Sequence, residues 1–336
     1  MDALSDVLSV IRLTGAVFLS AELTAPWSVL AGPGSGDRAA CMPDAKHLVY
    51  YHLVTQGSCL ATLPGVAPVR LETGDMALFP SGDAHVVASA SGLSPVPIGT
   101  LLKPSGADAV VHRLVHGGGG ETTRVVCGFL ACDTRLFEPL LLALPRILKF
   151  DAQERPASSW IEASLRSTVE EAATPTAGWA IVVAKLAELL FVEALRRYID
   201  TLSSDEKGWL SGLRDPYVGR ALTLMHARPA HPWTVEELGR EVALSRSALA
   251  ARFAHALGQS PMNYLSSWRM YLAAHMLGTS GLTIAAITEQ IGYDSEPSFY
   301  RAFKRAFGMP PASFRHERAR AVAPQVSFAE THKIAA

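Results

Sequence analysis

The C-terminal third of the chain carries one unit twice, and a repeat this short restricts the fold more than any other feature of the sequence. Thr234-Val-Glu-Glu-Leu-Gly-Arg-Glu-Val242, a turn ending at Ser245 and a run through Phe253 to Gly258 form the first copy. Thr283-Ile-Ala-Ala-Ile-Thr-Glu-Gln-Ile291, a turn ending at Ser295 and a run through Phe303 to Gly308 form the second. The offset is 49 residues at Thr234/Thr283 and 50 at Phe253/Phe303, so the second turn holds one extra residue. Each copy spells two short helices. Thr234 with Glu237 makes a capping box, and Leu238 with Val242 recurs at i, i+4 on an inward face. Ser245 and Ser295 are N-cap residues for the second helix. That helix is apolar at Leu249, Phe253 and Leu257 in one copy and at Phe299, Phe303 and Phe307 in the other. Gly258 and Gly308 close it, with Pro261 and Pro311 three residues beyond. A second helix held this way leaves its outer face free to enter a major groove. The plainer alternative is a small all-helical domain of duplicated hairpins.

Net charge is −1, which by itself argues against a nucleic-acid partner. Its distribution argues the other way, because Tyr217–Arg320 holds 12 Lys+Arg against 7 Asp+Glu while residues 1–215 hold 17 against 23.

These residues resemble the AraC/XylS family of transcription regulators. The similarity rests on Trp233-Thr-Val-Glu-Glu-Leu238, Ser245-Arg-Ser247, Pro261-Met-Asn-Tyr-Leu265 and Trp268-Arg-Met270. It is densest over Gly292-Tyr-Asp-Ser-Glu296, Phe299 to Gly308 and Pro311-Ala-Ser-Phe-Arg315. The resemblance covers about 105 residues and implies seven helices, with Met262–Leu277 bridging the two motifs. It also implies two recognition helices on double-stranded DNA. Carried over, the exposed reading positions are Arg246, Ser247, Ala250, Ala251 and Arg252, then Glu296, Pro297, Tyr300 and Arg301. Arginine pairs bidentately with guanine and glutamate accepts from cytosine N4. Ala250 and Ala251 offer only apolar contact, so the second copy is expected to read bases and the first to hold position. Arg269, Lys304 and Arg305 are candidates for phosphate contacts, with an internal ion pair as the alternative for Arg269.

Residues 45–130 read as β structure, in short apolar runs broken by turn signals: His47–Thr55, Cys59–Leu63, Val69–Leu71, Met76–Phe79 and His85–Ala88. Gly74-Asp-Met-Ala-Leu-Phe-Pro80-Ser-Gly82-Asp-Ala-His85 is similar to the cupin pattern, with Ser89 where that pattern has Asn. The His-x-His and glutamate of metalloenzyme cupins are missing. Tyr50 stands at the glutamate position, Asp44 and Lys46 precede it, and His47 is out of register. A cupin metalloenzyme fused to a DNA-binding module is therefore the alternative reading only. Period-two alternation puts His52 on one face with Tyr50 and Val54, and Cys127 on one face with Val125 and Phe129. His52, His85 and Cys127 could meet inside the barrel as a zinc or redox-sensing set. The alternative is three separate, satisfied core residues. Cys132, His112 and His116 are further candidates, and Gly117–Gly120 reads as a hairpin loop.

From Ser158 to Leu202 the period becomes helical. Trp160, Ala163 and Leu165 precede a break at Thr174-Pro-Thr176. A long helix follows, with Val182, Leu186, Leu190 and Ala194 as its apolar stripe, widened by Leu189 and Leu195. Glu193, Arg196 and Arg197 mark its wet side, and the stripe needs the cupin or a second copy as partner. The fold class is thus α+β, in the order cupin-like β-barrel (1–150), helical linker and dimerisation segment (151–205), double helix-turn-helix domain (215–320) and flexible tail (321–336). Hydrophobic residues make up 49% and charged residues 18%, an ordinary globular balance. The acidic start and the lack of a long apolar run predict a soluble cytoplasmic chain without membrane contact. There the four cysteines, 41, 59, 127 and 132, stay reduced. The expectation is a regulator, with RNA polymerase and a second copy of itself as partners. A small molecule, metal or oxidant sensed by the cupin would control it. An adaptor that senses nothing would instead have a filled barrel.

Overall fold

The computed structural model describes residues 2–11, 13–33, 35, 47–102, 112–132, 140–141, 143–150, 163–164, 167, 170–171, 176–203 and 206–322. Cys41, Asp44, Lys46, Trp160, Leu165, the Thr174-Pro175 break and residues 323–336 of the tail lie outside them. The chain divides into two compact units, Val7–Asp215 and Pro216–Ala336, the latter together with Met1–Asp6.

A helix, α1 (Ala3–Ile11), precedes the strands. The first unit is then built on two facing sheets. β1 (Thr14–Thr24), β3 (His47–Gln56), β6 (Met76–Phe79), β9 (His112–Gly117), β10 (Thr122–Cys132) and β11 (Leu148–Phe150) form one, in the order β11-β6-β3-β10-β1-β9. β2 (Ser28–Ala31), β4 (Ser58–Leu63), β5 (Val66–Glu72), β7 (His85–Ala88) and β8 (Val96–Pro97) form the other, in the order β5-β4-β7-β2-β8. A short helix, α2 (Ile98–Leu101), follows β8. The expected barrel is corrected to a two-sheet sandwich, since among the described residues no ladder joins the sheets into a closed ring. Leu19, Ala21, Tyr50, Val54, Val125 and Phe129 of one sheet pack against Val29, Cys59, Ala61 and Val87 of the other.

The Gly117–Gly120 hairpin is also corrected. β9 pairs in parallel with β1, which lies between β9 and β10, so the glycines carry the chain across the end of β1. Gly118 N–H and Gly120 N–H donate to the carbonyls of Thr24 and Ala25, both at 2.8 Å. A side chain at Gly117 would overlap the Thr24 backbone.

α3 (Trp179–Thr201) packs against β1 and β11, its approach opened by Gly15, where a Cβ would overlap the Ala184 carbonyl. Glu188 accepts from Gly15 N–H at 2.7 Å. The buried stripe is Trp179, Val183, Ala184, Leu186, Ala187, Leu190, Phe191, Ala194 and Leu195. Val182 and Leu189, expected inside, are exposed. Arg197, expected on the wet side, lies over the Phe150 ring at 4.5 Å and pairs with Glu193. α4 (Trp209–Arg214) follows, with Trp209 and Leu210 buried. Among the described residues no helix is long and apolar enough to cross a membrane.

The second unit has seven helices among its described residues: α5 (Pro216–Ala227), α6 (Val235–Glu241), α7 (Arg246–Leu257), α8 (Pro261–Thr279), α9 (Ile284–Gln290), α10 (Glu296–Phe307) and α11 (Pro311–Val322). The repeat is visible in its capping. Thr234, Ser245, Thr283 and Ser295 each accept from the amide three residues on, and Gly258 and Gly308 close α7 and α10 with φ of 70° and 75°. Four residues separate α6 from α7 and five separate α9 from α10, as the shift in offset requires.

Candidate functional site

The two second helices of the motifs, α7 and α10, are each twelve residues long and bury one apolar edge. Leu249 and Phe253 anchor α7, while Phe299, Phe303 and Phe307 anchor α10. The remaining faces are turned outward. Arg246, Ser247, Ala251 and Arg252 are exposed on α7, and Glu296, Pro297, Arg301, Lys304 and Arg305 on α10. Ala250 and Tyr300 are only half-buried positions, so Ala250 is less open than its place in the repeat suggests. The Arg252 guanidinium sits 4.8 Å from the centre of the Tyr217 ring. Arg301 donates to Ser298 Oγ at 3.3 Å, and Ser295 Oγ donates to the same oxygen at 3.1 Å.

Arg269 does not belong to this surface. Its guanidinium is turned inward and donates to the carbonyls of Pro229 at 2.7 Å and His231 at 2.9 Å. Burial lowers its pKa. The expected phosphate contact is therefore corrected: Nε and Nη2 on one edge of the guanidinium are engaged by backbone carbonyls of the loop before α6.

In the first unit, strand register explains how three distant residues meet. Cys127 and His52 are direct cross-strand partners on β10 and β3. His85 opens β7 on the opposite sheet and reaches across the sandwich. His52 Nδ1 is 2.9 Å from Cys127 Sγ, and His52 Nε2 is 2.6 Å from His85 Nε2. His85 Nδ1 is 2.7 Å from the Asp83 carbonyl. All three residues are buried, and the His85 ring stacks on Phe79 at 3.6 Å. Burial pushes His52 well below the ordinary imidazole range and His85 down to about 4, so both rings are neutral at pH 7. Neutrality settles the direction of every hydrogen bond. A carbonyl only accepts, so His85 donates from Nδ1 and accepts at Nε2. His52 then donates from Nε2, and its Nδ1 lone pair faces the thiol.

The arrangement is a chain rather than a chelate. His52 uses opposite edges of its ring for its two partners. Two nitrogens on one tetrahedral zinc stand roughly 3.3 Å apart, whereas the two Nε2 atoms are at 2.6 Å. Among the described residues no three His, Cys, Asp or Glu side chains are disposed to hold a metal ion. A cavity of about 30 Å³ adjoins the chain, walled by Cys127, His52, Trp27, Val29, Ile98 and Leu114. Sequence reading missed the Asp83 carbonyl and the wall residues Trp27 and Ile98, for which no motif gives a signal. Cys132 points to the His47 carbonyl. His116 lies on β9, in register with Leu23. Cys59 is buried on β4, its thiol pushed up to about 12 by burial. The side chain of His112 lies outside the described residues.

A cupin family model matches residues 2–200, and a helix-turn-helix domain model matches residues 238–317. An AraC-like transcription regulator of Streptomyces lividans is 34% identical over 94% of this chain and 98% of its own length. The HTH-type transcriptional regulator AlkR of Acinetobacter baylyi is 30% identical over 94% of this chain and all of its own. The RCS-specific HTH-type transcriptional activator RclR of Escherichia coli is 28% identical over 96% and 100%. With a cupin domain matched over residues 2–200, a helix-turn-helix domain over residues 238–317 and relatives matched along nearly their whole length, the chain belongs to the AraC-like transcription regulators that carry an N-terminal cupin domain.

Proposed function

We propose that this regulator is switched at the Cys127–His52–His85 chain by a small neutral oxidant of the peroxide class. The observation that carries this reading is the lone pair of His52 Nδ1, turned toward a thiol that walls a cavity with room for a molecule of two or three heavy atoms. The Cys127 sulfur attacks the outer oxygen of the peroxide while its proton passes to His52. A sulfur–oxygen bond forms and the oxygen–oxygen bond breaks. The sulfur loses two electrons to become a sulfenic acid, and the peroxide leaves as an alkoxide or hydroxide that takes the proton back from His52. Oxidised and reduced centres must favour different DNA-binding states for the switch to act.

On double-stranded DNA, Arg246, Glu296 and Arg301 read base edges, with Ser247, Ala250, Ala251, Pro297 and Tyr300 completing the groove-facing surfaces. Arg252 is a further groove-facing position of α7, and Lys304 and Arg305 meet phosphates. The regulator acts in the cytoplasm on RNA polymerase and works as a homodimer. The exposed stripe of Ile181, Val182 and Leu189 on α3 would pair with itself.

The test treats the purified full-length protein with hydrogen peroxide, then measures promoter DNA affinity and the mass of the Cys127 peptide. One oxygen should be gained at Cys127 with a change in affinity of about tenfold. Cys127→Ser should keep the basal affinity and lose the response. An unchanged response in Cys127→Ser, or oxidation without a change in affinity, would overturn the proposal, as would stoichiometric bound zinc that alone controls DNA binding.

A further inference from the structure

The two helix-turn-helix motifs are linked by more than the backbone of α8. The loop before α6, residues 228–233, belongs to the first motif. Trp233 Nε1 donates to the Arg228 carbonyl at 3.1 Å, the Arg228 guanidinium lies over the Trp233 ring, and His231 bonds Glu237 of α6 at 2.8 Å. The turn before α10 belongs to the second motif, where the Tyr293 ring packs edge-on against Phe299, the first anchor of that helix. These two segments touch. Gly292 lies so close to Ala230 that a Cβ there would overlap the Ala230 backbone.

Arg269, on the bridging helix α8, closes the joint. One edge of its guanidinium holds the carbonyls of Pro229 and His231, and Cζ stands 5.9 Å from the centre of the Tyr293 ring. Ser266, one turn earlier on α8, is 3.4 Å from Tyr293 Oη. A continuous path of contacts thus runs from α6 through the loop, Arg269 and Tyr293 to α10.

We infer that Arg269 is a positioning residue that fixes the separation and relative angle of the two recognition helices, and so makes the protein select target sites by the spacing of their two half-sites. One inserted base pair moves the second half-site along and around the duplex together, a change that a stiff joint cannot follow and a loose one can. A planar guanidinium addresses two carbonyls and a ring at once, whereas an ammonium on a flexible stem cannot.

The test selects DNA from a random pool with the full-length protein and compares the half-site spacings recovered by the wild type, Arg269→Lys and Tyr293→Leu. Affinity is then measured on the best site and on the same site with one base pair inserted or deleted. Wild type should recover a single spacing and lose about tenfold or more on the altered sites. Both variants should recover neighbouring spacings too, with a penalty reduced to about threefold or less. Thermal unfolding separates loss of fold from loss of register. Should one variant fail to fold, the other carries the test, because Tyr293→Leu leaves the carbonyl contacts intact and Arg269→Lys leaves the ring. Equal losses on every site, the same single spacing in all three proteins, or no spacing preference in the wild type would each overturn the inference.

Discussion

Ala243 and Gly292 occupy matching places in the two turns, and both have positive φ, 56° and 75°. An L-residue with a side chain pays about 1–2 kcal/mol for that conformation, and glycine does not. Ala243→Gly should therefore stabilise the protein by up to about 1 kcal/mol, read from the urea midpoint. Gly292→Ala should destabilise by at least about 2 kcal/mol, because it adds an overlap with the Ala230 backbone to the strained φ. Equal effects of either substitution in both turns would contradict the asymmetry. Other residue-scale features were only partly legible. Alternation on two strands is enough to put His52 and Cys127 on inward faces, so their meeting could be expected. That His52 would bridge two partners with opposite ring edges could not, since this depends on His85 arriving from the other sheet and on a carbonyl that carries no sequence signal.

At the scale of elements, α3 is the instructive case. Its apolar residues are numerous enough to draw more than one stripe, and periodicity alone cannot choose between stripes offset by one residue. Docking through Gly15 chose, setting Ala184 and Ala187 against the sheet and leaving Val182 and Leu189 outside. If that outer stripe joins two copies, Leu189→Glu should convert a dimer to a monomer in sedimentation equilibrium while leaving the unfolding midpoint of the monomer within about 0.5 kcal/mol of the wild type. A wild-type protein that is monomeric at the same concentration, or an unaffected dimer, would remove α3 from the interface. Two further strands, β1 and β2, precede the β region that the sequence suggested. β1 sits between β9 and β10, a placement with no local sign because it arises from a parallel pairing over a distance of about ninety residues.

At the scale of the whole molecule, both units contain histidines held neutral by burial. His85 is pushed down to about 4 and His226 to about 3, the latter stacked on Trp268 at 3.9 Å and bonded to Tyr264 Oη at 2.7 Å. An unfolded chain binds a proton at each below about pH 6.5 while the folded chain does not. Stability should thus be level above pH 7 and fall as pH drops from about 6.5 toward the folded values, each group costing about 1.4 kcal/mol per pH unit. Urea unfolding at pH 7.5, 6 and 5 checks this, in a window where ordinary carboxylates contribute little. His226→Gln should flatten the slope of the DNA-binding unit, and an unchanged slope would show that another group is responsible.

The sequence alone determined the double helix-turn-helix, because caps, turns and apolar anchors act within a few residues of one another and each is written twice. It also determined five strands of the cupin domain and the inward faces that bear His52 and Cys127, because alternation is a local property of a strand. Tertiary structure decided the rest. Strand order, the stripe of α3 that is buried, the proton direction along Cys127–His52–His85 and the inward turn of Arg269 all depend on groups far away in the chain. Each was settled by which distant backbone or ring came close enough to fill a gap or accept a hydrogen bond.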